Sequence, residues 1–310
     1  MKTYTSISKY NKAKSVITIG TFDGVHIGHK KILERIIHSA QELGCESTVL
    51  TFFPHPRMVL QDHSSVKLLN TIDEKITLLE KTGIDNLIIH PFDKEFSRLT
   101  AEDFVTTVLV NQLNIQKIII GHDHRFGRNR TADINDLIEY GKEYGFEVEQ
   151  ISVQEINEIA VSSTKIRNAI LEGNIALANK YLGYNYFFSG EVVKGKQLGR
   201  TIGFPTANIQ IKEDYKLIPK NGVYIVKSTF EKEIIYGMMN IGNRPTVGGE
   251  NQTIEVNFFN FDSDIYAKLI TVEILECIRE EHKFESVEAL KTQIQKDKEF
   301  SLNYLNNTTL

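Results

Sequence analysis

Near residue 185 the hydrophobic pattern of this chain changes its period, and that change limits the fold more than any other feature. Before it, short apolar runs alternate with stretches of helical spacing. After it, strand-like runs follow one another with Gly and Pro between them and almost no helix. One layered sheet does not produce both patterns, so two domains are expected. The length of 310 residues agrees, since a compact domain takes about 100–200.

In the first half, Ser15–Gly20, Ser47–Phe53, Asn86–His90, Gln116–Ile120 and Glu147–Val153 read as strands. Helical spacing fills His29–Leu43, Asp73–Lys81, Ala101–Gln112 and Asp133–Glu143, and Gly44 stands where a helix C-cap belongs. Strands alternating with such helices imply right-handed crossovers and an α/β domain with a parallel, Rossmann-like sheet. Ligands of these sheets sit at the carboxyl ends of the strands. A short helix at Ile175–Leu182 precedes the change, and the boundary falls near Leu182–Asn185, giving domains 1–183 and 184–310. The second half carries strand signals at Tyr186–Val193, Gly222–Ser228, Ile234–Asn240, Thr253–Phe259 and Leu269–Ile278. They predict a small antiparallel barrel or sandwich. A final amphipathic helix over Ser286–Tyr304 is expected to bury Val287, Leu290, Ile294 and Phe300.

Composition excludes several partners. The net charge of −4 gives no general case for nucleic acid. No apolar run reaches the length of a membrane span, and the amino-terminal stretch lacks the apolar core of a secretory signal. Cys45 and Cys277 form no metal or redox motif and are expected as free thiols in a cytoplasmic protein. The substrates are expected to be small molecules. The sequence leaves a homo-oligomer open.

The first chemical cluster is the string GTFDGVHIGH from Gly20 to His29. It joins a strand to a helix, whose free N–H groups and partial positive charge favour phosphate. Gly24 and Gly28 permit tight turns. His26 and His29, three residues apart, can point at one group above the strand end and suit charge developing on a phosphoryl centre. Two loop histidines satisfied by neighbours would give the same spacing. At 161–167, VSSTKIR supplies Ser162 or Ser163 as an N-cap and Lys165 and Arg167 as cationic donors. An ordinary capped surface helix would look the same.

The second cluster is GEVVKGKQLGRTIGFPTAN at 190–208. Gly195, Lys196, Gly199 and Gly203 fit a phosphate-covering loop, although GxxxxGK[ST] is absent. Thr206 and Asn208 carry neutral oxygens suited to complete a Mg²⁺ shell. Thr253, Glu255 and Asn257 share one face of an alternating strand.

Taken together, these strings resemble the prokaryotic bifunctional riboflavin kinase/FAD synthetase family. GTFDGVHIGH is similar to its adenylyltransferase motif. TFFPHPR at 51–57, GHDHRFG at 121–127 and VSSTKIR resemble three of its later loops. The run ending in Pro205-Thr206-Ala207-Asn208 resembles its kinase signature, and the Glu255 strand and 237–246 resemble two further segments. His124, Asn257 and Asn260 stand where the family usually has Phe, His and Asp, and Thr131-Ala132 where a Gly is common.

The resemblance implies a nucleotidyltransferase domain followed by a Greek-key kinase barrel with a C-terminal helix. It implies that riboflavin is phosphorylated to FMN and FMN adenylylated to FAD, with ATP as co-substrate and Mg²⁺ as cofactor. It gives Glu255 the role of kinase base and His26 and His29 that of adenylyl transition-state donors. ATP would meet Gly20, Phe22, Asp23, Gly24, Gly28, Ser162, Ser163, Thr164, Lys165 and Arg167 in the first domain. Pro54, His55, Pro56, Asp123 and Phe126 would line the flavin there.

Overall fold

In the computed structural model, every residue is described except 62–65, 122–123, 152–160, 196–197, 247–248 and 309–310. The chain divides into two compact units, Met1–Ser163 and Thr164–Leu310.

The first unit is a six-stranded sheet, all of whose neighbouring strands run parallel. Its strands are β1 (Lys2–Tyr4), β2 (Ser15–Ile19), β3 (Glu46–Phe52), β4 (Asn86–His90), β5 (Ile115–Gly121) and β6 (Glu147–Ile151), in the order β1-β4-β3-β2-β5-β6. The chain leaves β2 toward β3 and β4 and returns to the other side as β5 and β6. The order therefore reverses between β2 and β5, where a ligand crevice is expected at the strand carboxyl ends. All five residues of β2 are buried, as a strand covered on both faces must be.

Helix α1 (Ile27–Leu43) follows β2 and packs Leu33, Ile36 and Ala40 inward. It ends on Gly44, whose φ of 62° is the left-handed C-cap that its position predicts. The short helix α2 (Pro56–Leu60) follows β3, and α3 (Ile72–Glu80) opens with a full capping box between Thr71 and Glu74. The expected helix over 101–112 is instead one α turn, Ala101–Asp103, and then wider π turns over Phe104–Gln112, closed by Leu113 N–H on the Val108 carbonyl at 2.9 Å. Helix α4 (Ile134–Tyr144) follows β5.

The second unit opens with two helices, Ser163–Glu172 (beginning on the residue before the division) and Ile175–Leu182. Asn179, on the latter, donates to the Ile274 carbonyl at 2.9 Å and accepts from Tyr186 N–H at 2.7 Å, which fastens that helix to the barrel. The barrel strands are β7 (Phe187–Val193), β8 (Ala207–Gln210), β9 (Gly222–Phe230), β10 (Glu233–Thr246), β11 (Gly249–Phe258) and β12 (Leu269–Glu280). They close in the order β10-β11-β8-β7-β12-β9, with every pairing antiparallel.

The last helix, Val287–Thr308, is held differently from expectation. Val287 and Phe300 are about half exposed, while Asp297 and Ser301 are buried. The cause is Arg279 on β12, whose guanidinium forks onto Asp297 with bonds of 2.8, 3.0 and 3.1 Å. A buried bidentate ion pair sets the rotation of this helix against the apolar positions at its ends. Leu290 and Ile294 are half-buried, on the packed side.

Candidate functional sites

The loop from Gly20 to His26 leaves the carboxyl end of β2 under strain. Phe22 and Val25 have φ of 46° and 35°, which a β-branched residue such as Val25 rarely adopts. Both are almost fully buried, so packing holds the conformation. His26, not Ser or Asp, is the N-cap of α1: its Nδ1 accepts from His29 N–H at 3.3 Å. That acceptor role leaves the proton of a neutral ring on Nε2. The His26 and His29 rings stack at 3.6 Å with 16° between planes. Phe22 packs on His29 from 4.9 Å.

Burial keeps both rings neutral. The pKa of His26 falls to about 4, chiefly by desolvation, against a partial counter-effect from Asp23. His29 is pushed well below the usual imidazole range by desolvation and then by its neighbours His26 and Lys75. Its Nδ1 is shut off from solvent and has no hydrogen-bond partner among the described residues.

Asp23 ties the loop together. It is 1% exposed, its Oδ1 accepts from Leu69 N–H at 2.9 Å, and its carbonyl accepts from the Ser163 hydroxyl at 2.9 Å. Ser163 thus reaches back 140 residues. Thr164, Lys165 and Arg167 continue into the helix of the second unit, where Arg167 is half-buried and Lys165 exposed, and Ser162 lies exposed just before it. At the end of β3, His55 caps α2 by accepting from Arg57 N–H at 3.1 Å, with Pro54 before it and Pro56 as the first helical residue. After β5, Phe126 packs into the core of the unit. It is 8% exposed, stands 6.1 Å from Phe104, and pairs its backbone with Ala132. Asp123 lies outside the described residues. The order of strands brings the loops after β3, β2 and β5 side by side.

Lys75, which sequence reasoning passed over, belongs to this site. It sits on α3, 3% exposed, and donates to the Thr21 carbonyl at 2.7 Å. Its signal was a lysine on the face of α3 that also buries Leu78 and Leu79.

In the barrel, β8 pairs with β11 so that Asn208 stands opposite Glu255. The Thr206 hydroxyl donates to Glu255 Oε2 at 3.2 Å, and the Asn257 amide donates to the Pro205 carbonyl at 2.7 Å. The shared strand face therefore binds the 205–206 backbone and side chain together. Gly195 lies against the Asn208 amide, and a Cβ there would displace that side chain. Gly199 lies under the Phe204 carbonyl, and Gly203 takes a φ of 86°. Residues 198–201 form one short helical turn, and Lys196 lies outside the described residues. Among the described residues no group of three His, Cys, Asp or Glu side chains could hold a metal ion.

The family model for FAD synthetase matches residues 8–165, and that for riboflavin kinase matches residues 182–305. A bifunctional riboflavin kinase/FMN adenylyltransferase of Buchnera aphidicola is 39% identical over 97% of this chain and 97% of its own length. The chain belongs to the bifunctional riboflavin kinase/FMN adenylyltransferase family. The Bacillus subtilis member is 36% identical over 96% of this chain and 95% of its own length. A solved structure named as a macrolide-efflux protein from Streptococcus pneumoniae superposes with a TM-score of 0.87 at 30% identity, covering 97% of this chain and 98% of the other. No helix among the described residues is long and apolar enough to cross a membrane.

Proposed function

We propose that the barrel makes FMN and the parallel-sheet unit converts it to FAD, with the residues of the two sites dividing the work as follows. The chain is a riboflavin kinase and an FMN adenylyltransferase. In the barrel the ribityl 5′-hydroxyl attacks the γ-phosphorus of ATP, and ADP leaves. A hydroxyl is a poor nucleophile until its proton is accepted. Glu255 accepts it. The Thr206 hydroxyl, bonded to Glu255 at 3.2 Å, orients the carboxylate.

The donor set also suits Mg²⁺, because Thr206 and Asn208 offer hard neutral oxygens beside a carboxylate. When bound, Mg²⁺ neutralises charge on the ATP phosphates. Thr206 and Asn208 would hold it. Gly195, Lys196, Gly199 and Gly203 cover the phosphates and exclude water.

In the first unit an FMN phosphate oxygen attacks the α-phosphorus of ATP and pyrophosphate leaves. Phosphate is already an anionic nucleophile, so no base is needed. His26 and His29, neutral and stacked, donate hydrogen bonds to the α-phosphoryl group as its charge develops. The free N–H groups of α1 and the loop from Gly20 to Gly28, with Phe22, Asp23 and Gly24, receive the triphosphate. Ser162, Ser163 and Thr164 contribute oxygens and N–H groups to it. Lys165 and Arg167 follow Ser163 within one turn and neutralise the departing pyrophosphate. Pro54, His55, Pro56 and Asp123 face the flavin, and Phe126 anchors its loop from the core.

The partners are small molecules, and the net charge of −4 supports no nucleic-acid partner. A cytoplasmic location fits Cys45 and Cys277 as free thiols. The observation that carries the reading is the pair of built sites, stacked imidazoles at a helix start and a Thr206–Glu255 contact in a barrel. Protein incubated with riboflavin, ATP and Mg²⁺ should yield FMN and then FAD when the flavins are separated. A preparation that stops at FMN would remove the adenylyl half, and one that leaves riboflavin untouched would remove the kinase half.

A further inference from the structure

We propose that Lys75 is a positioning residue of the adenylyl site, a buried ammonium that pins the Thr21 carbonyl and so fixes the loop aiming His26 and His29. The inference rests on the adenylyltransferase reading above.

Thr21 is the last residue before the strained Phe22–Val25 turn. Its carbonyl accepts from Lys75 Nζ at 2.7 Å and from the Thr51 hydroxyl at 3.3 Å. Those two donors come from α3 and β3, so the end of β2 is gripped from both. An apolar side chain would fill the same buried place on α3 at far lower desolvation cost. The ammonium is retained where one carboxylate faces it. Asp23 lies on the gripped loop and stabilises the charge. The other charged or titratable groups facing this pocket are few. His29, with His26 stacked on it, comes from the start of α1 and is held neutral by burial. Glu74, next to Lys75 on α3, accepts from Thr71 N–H at 2.9 Å within the capping box. The Lys75–Asp23 pair thus supplies the local charge balance, while the two rings stay uncharged.

Desolvation lowers the Lys75 pKa to about 8. The proton is therefore present at neutral pH and is lost as the pH rises past that value. Deprotonation replaces a charge-assisted bond to Thr21 with a weaker one and removes the positive charge facing Asp23. The loop then loosens and transition-state alignment is lost. The titrations of His26 and His29 lie on the acid side and cannot produce an alkaline limb.

The test is the pH profile of kcat/KM for ATP in FAD formation from FMN, which reports groups of the free enzyme. It is measured on the full chain between pH 6.5 and 10, with the kinase half-reaction followed in the same preparations. The wild-type value should fall about tenfold per pH unit above about pH 8. Lys75→Arg keeps its charge throughout, so its alkaline limb should move up by at least one pH unit. Lys75→Met should lose at least tenfold in kcat at pH 7.5 and show no limb near pH 8. The kinase profile should be the same in all three.

A wild-type profile flat to pH 10 overturns the proposal whether or not the variants fold. So does a limb that Lys75→Arg leaves in place, or a Lys75→Met enzyme with the parent rate. A wild-type chain that makes no FAD at any pH overturns the adenylyl reading instead.

Discussion

The proposed adenylyl site closes two imidazoles and an ammonium behind the ends of neighbouring strands, whereas the proposed kinase site sets a carboxylate and two neutral oxygens on a half-buried barrel wall. On the proposed assignment the difference follows from the nucleophile each site would serve. An FMN phosphate arrives already charged, so the site needs neutral donors and cations and gains nothing from a base. A ribityl hydroxyl arrives protonated, so its site must hold a carboxylate at hand. The means of assembly differ as well. The adenylyl loop is held by contacts from Thr51, Leu69, Lys75 and Ser163, scattered over half the chain. The contacts around Glu255 come from β8 and the two residues before it, all against β11.

Separate variants should break the two halves independently. The largest effect is expected from Glu255→Gln, which keeps the shape and removes the basicity. FMN formation should fall about 10³-fold, and FAD formation from supplied FMN should continue at the parent rate. Unimpaired kinase turnover would mean that the base lies elsewhere.

His29→Ala is the mirror experiment. It should lower FAD formation about 10²-fold by removing a pre-organised donor and leave riboflavin phosphorylation unchanged. Equal losses in both half-reactions would point to a folding defect and not to lost chemistry.

Gly195→Ala probes positioning alone. The added methyl would overlap the Asn208 amide, so that side chain must move. A kinase rate lower by roughly tenfold to a hundredfold is expected, with FAD formation from FMN unaffected. A variant with the parent KM and kcat would remove Asn208 from the ATP site.

The smallest effect concerns acid stability, and it sharpens the contrast. His26 is held neutral in the fold, its pKa lowered to about 4 from an unfolded value of 6.5. Between those values the unfolded chain binds the extra proton. The stabilisation is complete above about pH 6.5 and is lost as the pH falls toward 4, on the order of 3 kcal/mol for this ring. Melting followed by loss of FAD formation should therefore shift to lower temperature from pH 7 to pH 4.5. An unchanged midpoint would mean that the ring is not held neutral.

Much of the fold was legible in period and punctuation. The alternation before residue 185 gave the parallel sheet, and Gly44 marks a helix end with a φ of 62°. Strands β1 and β8 were not legible. Each has only three or four residues, and a segment so short becomes a strand through its partner, Asn86–Ile88 for β1 and β7 with β11 for β8. On the last helix Leu290 and Ile294 are half-buried as read but Val287 and Phe300 are not, because an apolar count cannot foresee that Arg279 draws Asp297 inward.

The sequence by itself determined the chemistry available at each site. The glycines, imidazoles, hydroxyls and carboxylate are local in the chain, and their spacing near a strand end or in a strand can be read directly. Only the tertiary structure decided which charges those groups carry and what holds them. Desolvation and long-range hydrogen bonds belong to residues far apart in sequence. That is why Lys75 reads as one more helix lysine until α3 buries it against Thr21, and why the stacked His26 and His29 resist protonation in acid only once the sheet closes around them.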